Sequence, residues 1–193
     1  MTKAELRKKY REKRRQVSAK DKERWTDLIL INFQKLDLPF IKCVHTYLAV
    51  EAQNEVDTSN ITRYLQFRNP GLRTVVPKIN LDAGEMRHYI FDDDVELVPN
   101  SFGIVEPVKG EKIVASEIDL VLTPLLAFDK CGYRTGYGKG FYDKFFGECN
   151  EEVTRVGLSF FEPEEVIDDI NAFDVPLHYC VTPNNVYSFN TEI

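Results

Sequence analysis

The segment Arg134-Thr135-Gly136-Tyr137-Gly138-Lys139-Gly140-Phe141-Tyr142-Asp143 concentrates residue types that handle phosphate. Glycines at alternate positions remove Cβ atoms, so backbone N–H groups can approach phosphate oxygens, and a helix starting there adds partial positive charge. Lys139 offers a compact charge for one phosphate, whereas the Arg134 guanidinium can bind two oxygens at once. Asp143 offers the hard oxygen donor that magnesium takes beside a nucleoside triphosphate. The spacing matches neither GxxxxGK[ST] nor GxGxxG, so the glycines alone leave a second reading open. In that reading they form a tight strand-to-helix turn, with Lys139 and Asp143 as solvated helix residues.

The surrounding pattern says what must position this loop. Residues 118–124 have an apolar core bracketed by polar residues, which suits a parallel strand covered on both faces. A helix carrying Phe141, Phe145 and Phe146 follows the glycines. Upstream, Thr2-Lys-Ala-Glu5 reads as a capping box for a first helix running to about Val17. Ser18-Ala-Lys-Asp21 repeats the signal before a second helix, whose stripe is Trp25, Leu28, Ile29, Phe33 and Leu36.

Residues 43–50 are predicted as a strand, with Val44, Thr46, Leu48 and Val50 on one face and His45 and Tyr47 on the other. Asp57 or Thr58 then caps a helix with Ile61, Tyr64 and Leu65, which Asn69-Pro-Gly71 stops before a strand at 73–77. Further strands are expected at 86–91, 155–160 and 178–181. A short helix is expected at 164–170, and exposed loops at 92–94 and 99–103. This alternation predicts one α/β domain over residues 1–193. Its sheet is mainly parallel with helices on both faces, a Rossmann-like three-layer arrangement, and ligands gather at the carboxyl ends of the strands.

Composition narrows the function classes. The chain has 193 residues, enough for a sizeable core at 43% hydrophobic content. No apolar run approaches a membrane span, and the start does not read as a signal peptide. Cys43, Cys131, Cys149 and Cys180 are scattered without a CxxC pair, which fits reduced thiols in the cytoplasm. His45, His88 and His178 are isolated in sequence, so a histidine-rich metal site is not expected. Residues 1–24 hold eleven Lys/Arg against four Asp/Glu, so the rest of the chain carries −13 of the net −6. An acidic body excludes nucleic acid as the main partner, while the short basic segment can still meet a small polyanion.

The string from Arg134 to Asp143 closely resembles the signature of the 5-formyltetrahydrofolate cyclo-ligases, Arg-x-Gly-x-Gly-x-Gly-Tyr-Tyr-Asp, with Phe141 replacing the first tyrosine. Residues 124–129 and Gly132 resemble that family's approach to the loop. Three further regions follow in the family's order. Lys3-Ala4-Glu5-Leu6-Arg7 is similar to its N-terminal nucleotide-binding stretch. Tyr47 to Val50, with Glu55-Val-Asp57, is similar to its folate-contacting strand and acidic loop, and Gly103-Ile-Val-Glu106-Pro107 to an element that can line the same cleft. Asp174-Val-Pro-Leu-His178 resembles a segment whose first aspartate contributes to magnesium binding. Relatives often carry aspartate where this chain has His178, so His178 is given no metal role.

The resemblance implies an ATP-dependent, Mg2+-requiring ligase acting on 5-formyltetrahydrofolate, expected to be a cytoplasmic monomer without membrane or nucleic-acid partners. It implies ATP contacts from Lys3, Ala4, Glu5, Leu6 and Arg7, and from Arg134, Thr135, Gly136, Tyr137, Gly138, Lys139, Gly140, Phe141 and Tyr142. Folate contacts would come from Leu48, Val50, Glu55, Tyr137, Gly138, Lys139, Gly140 and Phe141. Asp143 and Asp174 would hold the metal, with Arg134 and Lys139 assisting phosphoryl transfer. Two rivals remain at this stage: a sugar-phosphate isomerase whose loop binds phosphate without ATP hydrolysis, and a nucleotide- or folate-binding regulator without turnover.

Overall fold

A computed structural model of the chain describes residues 1–100 and 104–189. The expected loop at 99–103 and the Gly103 position therefore lie partly outside the described residues. The chain opens with α1 (Lys3–Arg15) and α2 (Ala19–Phe33), followed by β1 (Cys43–His45), α3 (Ser59–Arg68), β2 (Arg73–Asn80) and β3 (Glu85–Ile90). Next come β4 (Glu96–Pro99), β5 (Val105–Lys109), β6 (Lys112–Ile113), β7 (Leu120–Pro124), β8 (Ala127–Phe128) and β9 (Arg134–Thr135). The last elements are α4 (Phe141–Glu148), β10 (Thr154–Leu158), β11 (Tyr179–Val181) and β12 (Val186–Ser188).

Eight strands form one sheet in the order β12-β11-β10-β7-β1-β2-β3-β6. The five strands β11, β10, β7, β1 and β2 pair in parallel, and β12, β3 and β6 add antiparallel edges. Alternation along the central strands divides the core between two faces. Val44, Leu120 and Leu122 pack with Ile29, Phe33, Ile61 and Leu65 of α2 and α3. Cys43 and Val121 pack on the other face with Phe145 and Phe146 of α4. Helices therefore cover both faces of a mainly parallel sheet, as the alternation predicts.

Both N-terminal caps form as expected. Thr2 accepts from the Glu5 N–H and Glu5 accepts from the Thr2 N–H, while Ser18 accepts from the Asp21 N–H. Asp57, rather than Thr58, supplies the side-chain acceptor at the start of α3, taking the Ser59 N–H at 2.8 Å. The Thr58 hydroxyl donates to the Tyr47 carbonyl instead.

Two expectations require correction. The first strand stops at His45 instead of running to Val50. Beyond Thr46, its backbone groups bond to their own downstream loop: Glu55 takes the Val50 N–H and Thr58 donates to the Tyr47 carbonyl. Leu48 and Val50 are consequently half-buried at the strand end rather than in the core. The second correction is at 164–170, which is not helical. Its donors are claimed by the β8–β9 hairpin: the Glu164 N–H goes to the Phe128 carbonyl and the Ile167 N–H to the Asp129 carboxylate.

His45 and His88, distant in sequence, meet under α4 with ring centroids 5.2 Å apart, and Phe145 packs on both rings. Their ring nitrogens have no partner among the described residues. Burial lowers both pKa values, that of His88 to about 4 from an ordinary 6.5, and for His45 the neighbouring His88 adds to the effect. A folded-state pKa below the unfolded one means that the unfolded chain binds more protons as pH falls. Stability is therefore full above pH 6.5 and declines through the window down to about 4. We expect the melting temperature to fall across that window, and His88→Phe to flatten the fall; an unchanged slope in that variant would remove His88 as its source.

Candidate active site

Sequence order alone does not show how the glycine loop is anchored. Between β7 and α4 the chain inserts the β8–β9 hairpin, pairing Phe128 with Arg134 and Ala127 with Thr135. Asp129, 1% exposed, closes its turn by accepting from the N–H groups of Cys131 and Tyr133 and, from outside, Ile167. Gly132 is required in that turn: its φ is +87°, and a Cβ would lie 2.7 Å from the Phe189 ring. The hairpin delivers Arg134 to the base of the loop with its guanidinium facing inward.

A cleft of about 510 Å³ opens where β1, β2 and β7 end, at the carboxyl edge of the parallel strands. Gly136 to Tyr142 form one wall, with Lys3 and Arg7 from α1 beside them. The opposite wall is largely apolar, built by Pro77 and Ile79 of β2 together with Leu81, Ile104 and Val105. Leu48, Val50 and Glu55 join it from the segment after β1, and Glu106 also lines the cleft. The β2 wall was missed because that strand was expected to end at Pro77. The alternation of Pro77 and Ile79 on one face was the available signal.

Arg7 lies across the loop and donates from Nε to the Gly136 carbonyl at 3.1 Å. A Cβ on Gly138, whose φ is +92°, would come within 3.0 Å of the Arg7 guanidinium. Glycine at 138 thus meets two constraints at once, a left-handed backbone and the approach of a cation. Lys139 is exposed and has no hydrogen bond or ion pair among the described residues. The Tyr142 hydroxyl is buried without a partner among those residues, and burial raises its pKa well above the ordinary value.

Arg134 is placed differently from a free phosphate ligand. Its Nη1 donates to the Val175 carbonyl at 2.6 Å and its Nη2 to Asp143 Oδ1 at 2.8 Å. The guanidinium also stacks over Phe146, 4.8 Å from the ring centre. Burial pulls its pKa down and the Asp143 charge opposes this. Arg134 still borders the cleft, but most of its fork holds the loop in place.

Asp143 Oδ1 also accepts from the Val175 N–H at 3.1 Å. Asp174 Oδ2 accepts from Lys3 Nζ at 2.5 Å and from the Asn171 N–H at 2.7 Å. The second oxygen of each carboxylate has no partner among the described residues, and both residues line the cleft. Two free carboxylate oxygens fit magnesium, which takes one or two carboxylates and completes its shell with phosphate and water. No cluster of three or more metal-ligating side chains occurs among the described residues.

The remaining candidates are not in the cleft wall. Ala4 is exposed, Glu5 serves the cap of α1, and Leu6 is fully buried against Tyr10, Leu126 and Ile167. Thr135 is fully buried, with its Oγ1 unpartnered among the described residues. His178 accepts from the Arg155 N–H at 3.0 Å, and burial with the Arg155 charge lowers its pKa to about 4.

A cationic glycine loop thus faces an apolar wall at the strand ends of an α/β sheet. The sequence profile of the 5-formyltetrahydrofolate cyclo-ligase family matches residues 1–183, and the chain belongs to that family. It is 30% identical over 176 residues to the mitochondrial 5-formyltetrahydrofolate cyclo-ligase of Arabidopsis thaliana, covering 78% of this chain and 64% of that protein. It is 28% identical over 157 residues to the Escherichia coli K12 cyclo-ligase, covering 78% of this chain and 85% of that one. The Aquifex aeolicus 5,10-methenyltetrahydrofolate synthetase superposes with a TM-score of 0.79 at 29% identity, over 100% of this chain and 95% of its own. A Mycoplasma pneumoniae synthetase shares the fold, with a TM-score of 0.74 at 24% identity over 95% and 99% of the two chains.

The Arg134–Asp143 pair yields a prediction independent of any ligand. In Asp143→Asn the buried guanidinium, 5% exposed in its side chain, loses its only carboxylate partner among the described residues. We expect a stability loss of about 2–3 kcal/mol in chemical denaturation without nucleotide or magnesium. A wild-type midpoint would show that the pair contributes nothing.

Proposed function

We propose that the protein couples ATP hydrolysis to cyclisation of 5-formyltetrahydrofolate, giving 5,10-methenyltetrahydrofolate, ADP and phosphate. The observation that carries this reading is the cleft itself. The glycine loop, Lys3, Arg7 and Lys139 meet an apolar wall and Glu55 across one opening at the strand ends.

The formyl oxygen of the substrate is a poor leaving group. Transfer of the γ-phosphoryl breaks the β,γ P–O bond of ATP and forms an O–P bond on that oxygen, leaving an imidate-like phosphate. The N10 lone pair then attacks the activated carbon. N10 gives up its proton to solvent, and phosphate leaves with the C–O electron pair as the five-membered ring closes. This chemistry needs positioning and charge stabilisation more than a protein nucleophile, and no general base is assigned.

On this reading Arg7, Lys139 and the loop N–H groups hold the phosphates. Lys3 stands at the same end, where its charge is shared with Asp174. The free oxygens of Asp143 and Asp174 would hold magnesium, which when bound neutralises triphosphate charge. Arg134 contributes by fixing Asp143 and the loop. Glu55 would take donors of the pterin ring, with Leu48, Val50 and the aromatic residues of the loop against its flat faces. The four free cysteines agree with a cytoplasmic protein, and no helix among the described residues is long and apolar enough to cross a membrane.

The direct test is incubation with 5-formyltetrahydrofolate and magnesium-ATP, following the near-ultraviolet absorbance of the methenyl product together with ADP release. Product with stoichiometric ADP is expected. Conversion of a sugar phosphate without ATP, or binding of both ligands without turnover, would overturn the reading. Lys139 is exposed and makes no hydrogen bond or ion pair among the described residues, so Lys139→Ala should melt like wild type. Its turnover should drop on the order of 10²–10³-fold through lost stabilisation of phosphoryl charge. Undiminished turnover would remove Lys139 from the machinery.

A further inference from the structure

Arg14 lies in the last turn of α1 and belongs to no motif discussed above. It is 4% exposed and forms no ion pair with a carboxylate among the described residues. Its Nη2 donates to the Leu125 carbonyl, just beyond β7, and its Nη1 donates to the Tyr137 hydroxyl at 3.0 Å. Tyr137 in turn bonds Glu55 Oε1 across the cleft floor, and Glu55 Oε2 accepts from the Val50 N–H at 2.8 Å. Glu55 is itself 4% exposed. A buried cation and a buried carboxylate are thus joined through one phenol.

The direction of each proton in this chain is fixed by chemistry. A guanidinium only donates, so the Tyr137 oxygen must accept from Arg14. The phenol proton is then left for Glu55 alone, which receives it as an acceptor. Both Glu55 oxygens are engaged once, by Tyr137 and by Val50, and each keeps a second lone pair for the cleft. The backbone reinforces the arrangement: Asn54, with φ 47°, donates from Nδ2 to the Arg14 carbonyl at 2.9 Å. The residue preceding Glu55 is therefore pinned to the same turn of α1.

We infer that Arg14 is a positioning residue for the folate end of the cleft, acting through the Tyr137 hydroxyl to preset Glu55 as a two-oxygen acceptor for adjacent N–H donors of the substrate ring. The inference deepens the reading that this cleft binds 5-formyltetrahydrofolate and rests on it. Without Arg14 the Tyr137 hydroxyl is free to turn away, and Glu55 must be organised by the ligand at the moment of binding.

The test is a double-mutant cycle read by calorimetry with 5-formyltetrahydrofolate in the absence of nucleotide, with magnesium-ATP titrated separately. Arg14→Met and Tyr137→Phe should each weaken folate binding about tenfold, the size of one lost charge-assisted or buried hydrogen bond. The double variant should bind no worse than Tyr137→Phe within about twofold, because both changes break one chain. Arg14→Lys should recover part of the loss, since an ammonium still donates to the phenol, and Arg14→Met should leave ATP binding at the wild-type level. Additive losses, an equal loss for ATP, or wild-type folate binding by Arg14→Met would each overturn the role. If Arg14→Met does not fold, the same cycle is run with Arg14→Gln, whose neutral side chain removes the charge-assisted donor, and additive losses there overturn the role. Failure of the unmodified protein to bind 5-formyltetrahydrofolate would sink the functional reading and this inference together, and is distinguishable because it precedes any substitution.

Discussion

A guanidinium removed from water must be paired and hydrogen-bonded to persist, and Arg134 meets that condition in a way that organises everything around it. Its two terminal nitrogens reach the first turn of α4 through Asp143 and the 171–178 segment through the Val175 carbonyl. Asp143 returns to the same segment by accepting from the Val175 N–H. The glycine loop is thereby held at both ends, at Arg134 before it and at Asp143 after it. Asp174, the neighbour of Val175, then meets Lys3, so the position of α1 also depends on this core of contacts.

Placing α1 against the loop resolves the charge asymmetry of the chain. A helix rich in Lys and Arg on an acidic body would ordinarily project its charges into solvent. Here Leu6 and Tyr10 bury one side of it against Leu126 and Ile167, and three cations on adjoining positions face inward. Each has a separate partner: Lys3 meets Asp174, Arg7 meets the Gly136 carbonyl, and Arg14 meets Tyr137. The helix delivers positive charge along the length of the cleft, from the loop to the floor beneath Glu55. Truncating it would remove core packing together with charge, which is why single substitutions report on the cations more cleanly.

Much of the site was legible because it is contiguous. Arg134 to Asp143 form one string with recognisable chemistry, and a buried strand before it with a phenylalanine-bearing helix after it locate it at a strand end. Capping boxes and apolar spacing likewise located α1 and α2, since those signals are local. What escaped was long-range. Asp129 in the β8–β9 turn accepts from Ile167, 38 residues on, and ties the hairpin to the non-helical 164–170 segment. The early end of β1 depends on Glu55 reaching back to Val50. Pairing of Arg134 with Asp143 could be suspected only once β9 and the first turn of α4 were known to face each other. Sequence showed charges suited to a ligand, and folding had already assigned some of them to one another.

The glycines separate these two kinds of constraint. Gly132 and Gly157 are small because the protein fills the space beside them: a Cβ would lie 2.7 Å from Phe189 in one case and 2.6 Å from Leu125 and Leu177 in the other. At Gly138 the neighbour is Arg7, a cation lining the cleft rather than core. Gly136 has no such neighbour, since a Cβ there would meet nothing within 4 Å. Gly147 shares that openness, but it lies on the exposed side of α4 and not in the cleft. Gly136 lines the opening, and its carbonyl already positions Arg7. Among the described residues nothing therefore crowds a side chain at 136. Under the proposed function the bare backbone there would serve close approach of a phosphate group to its amide.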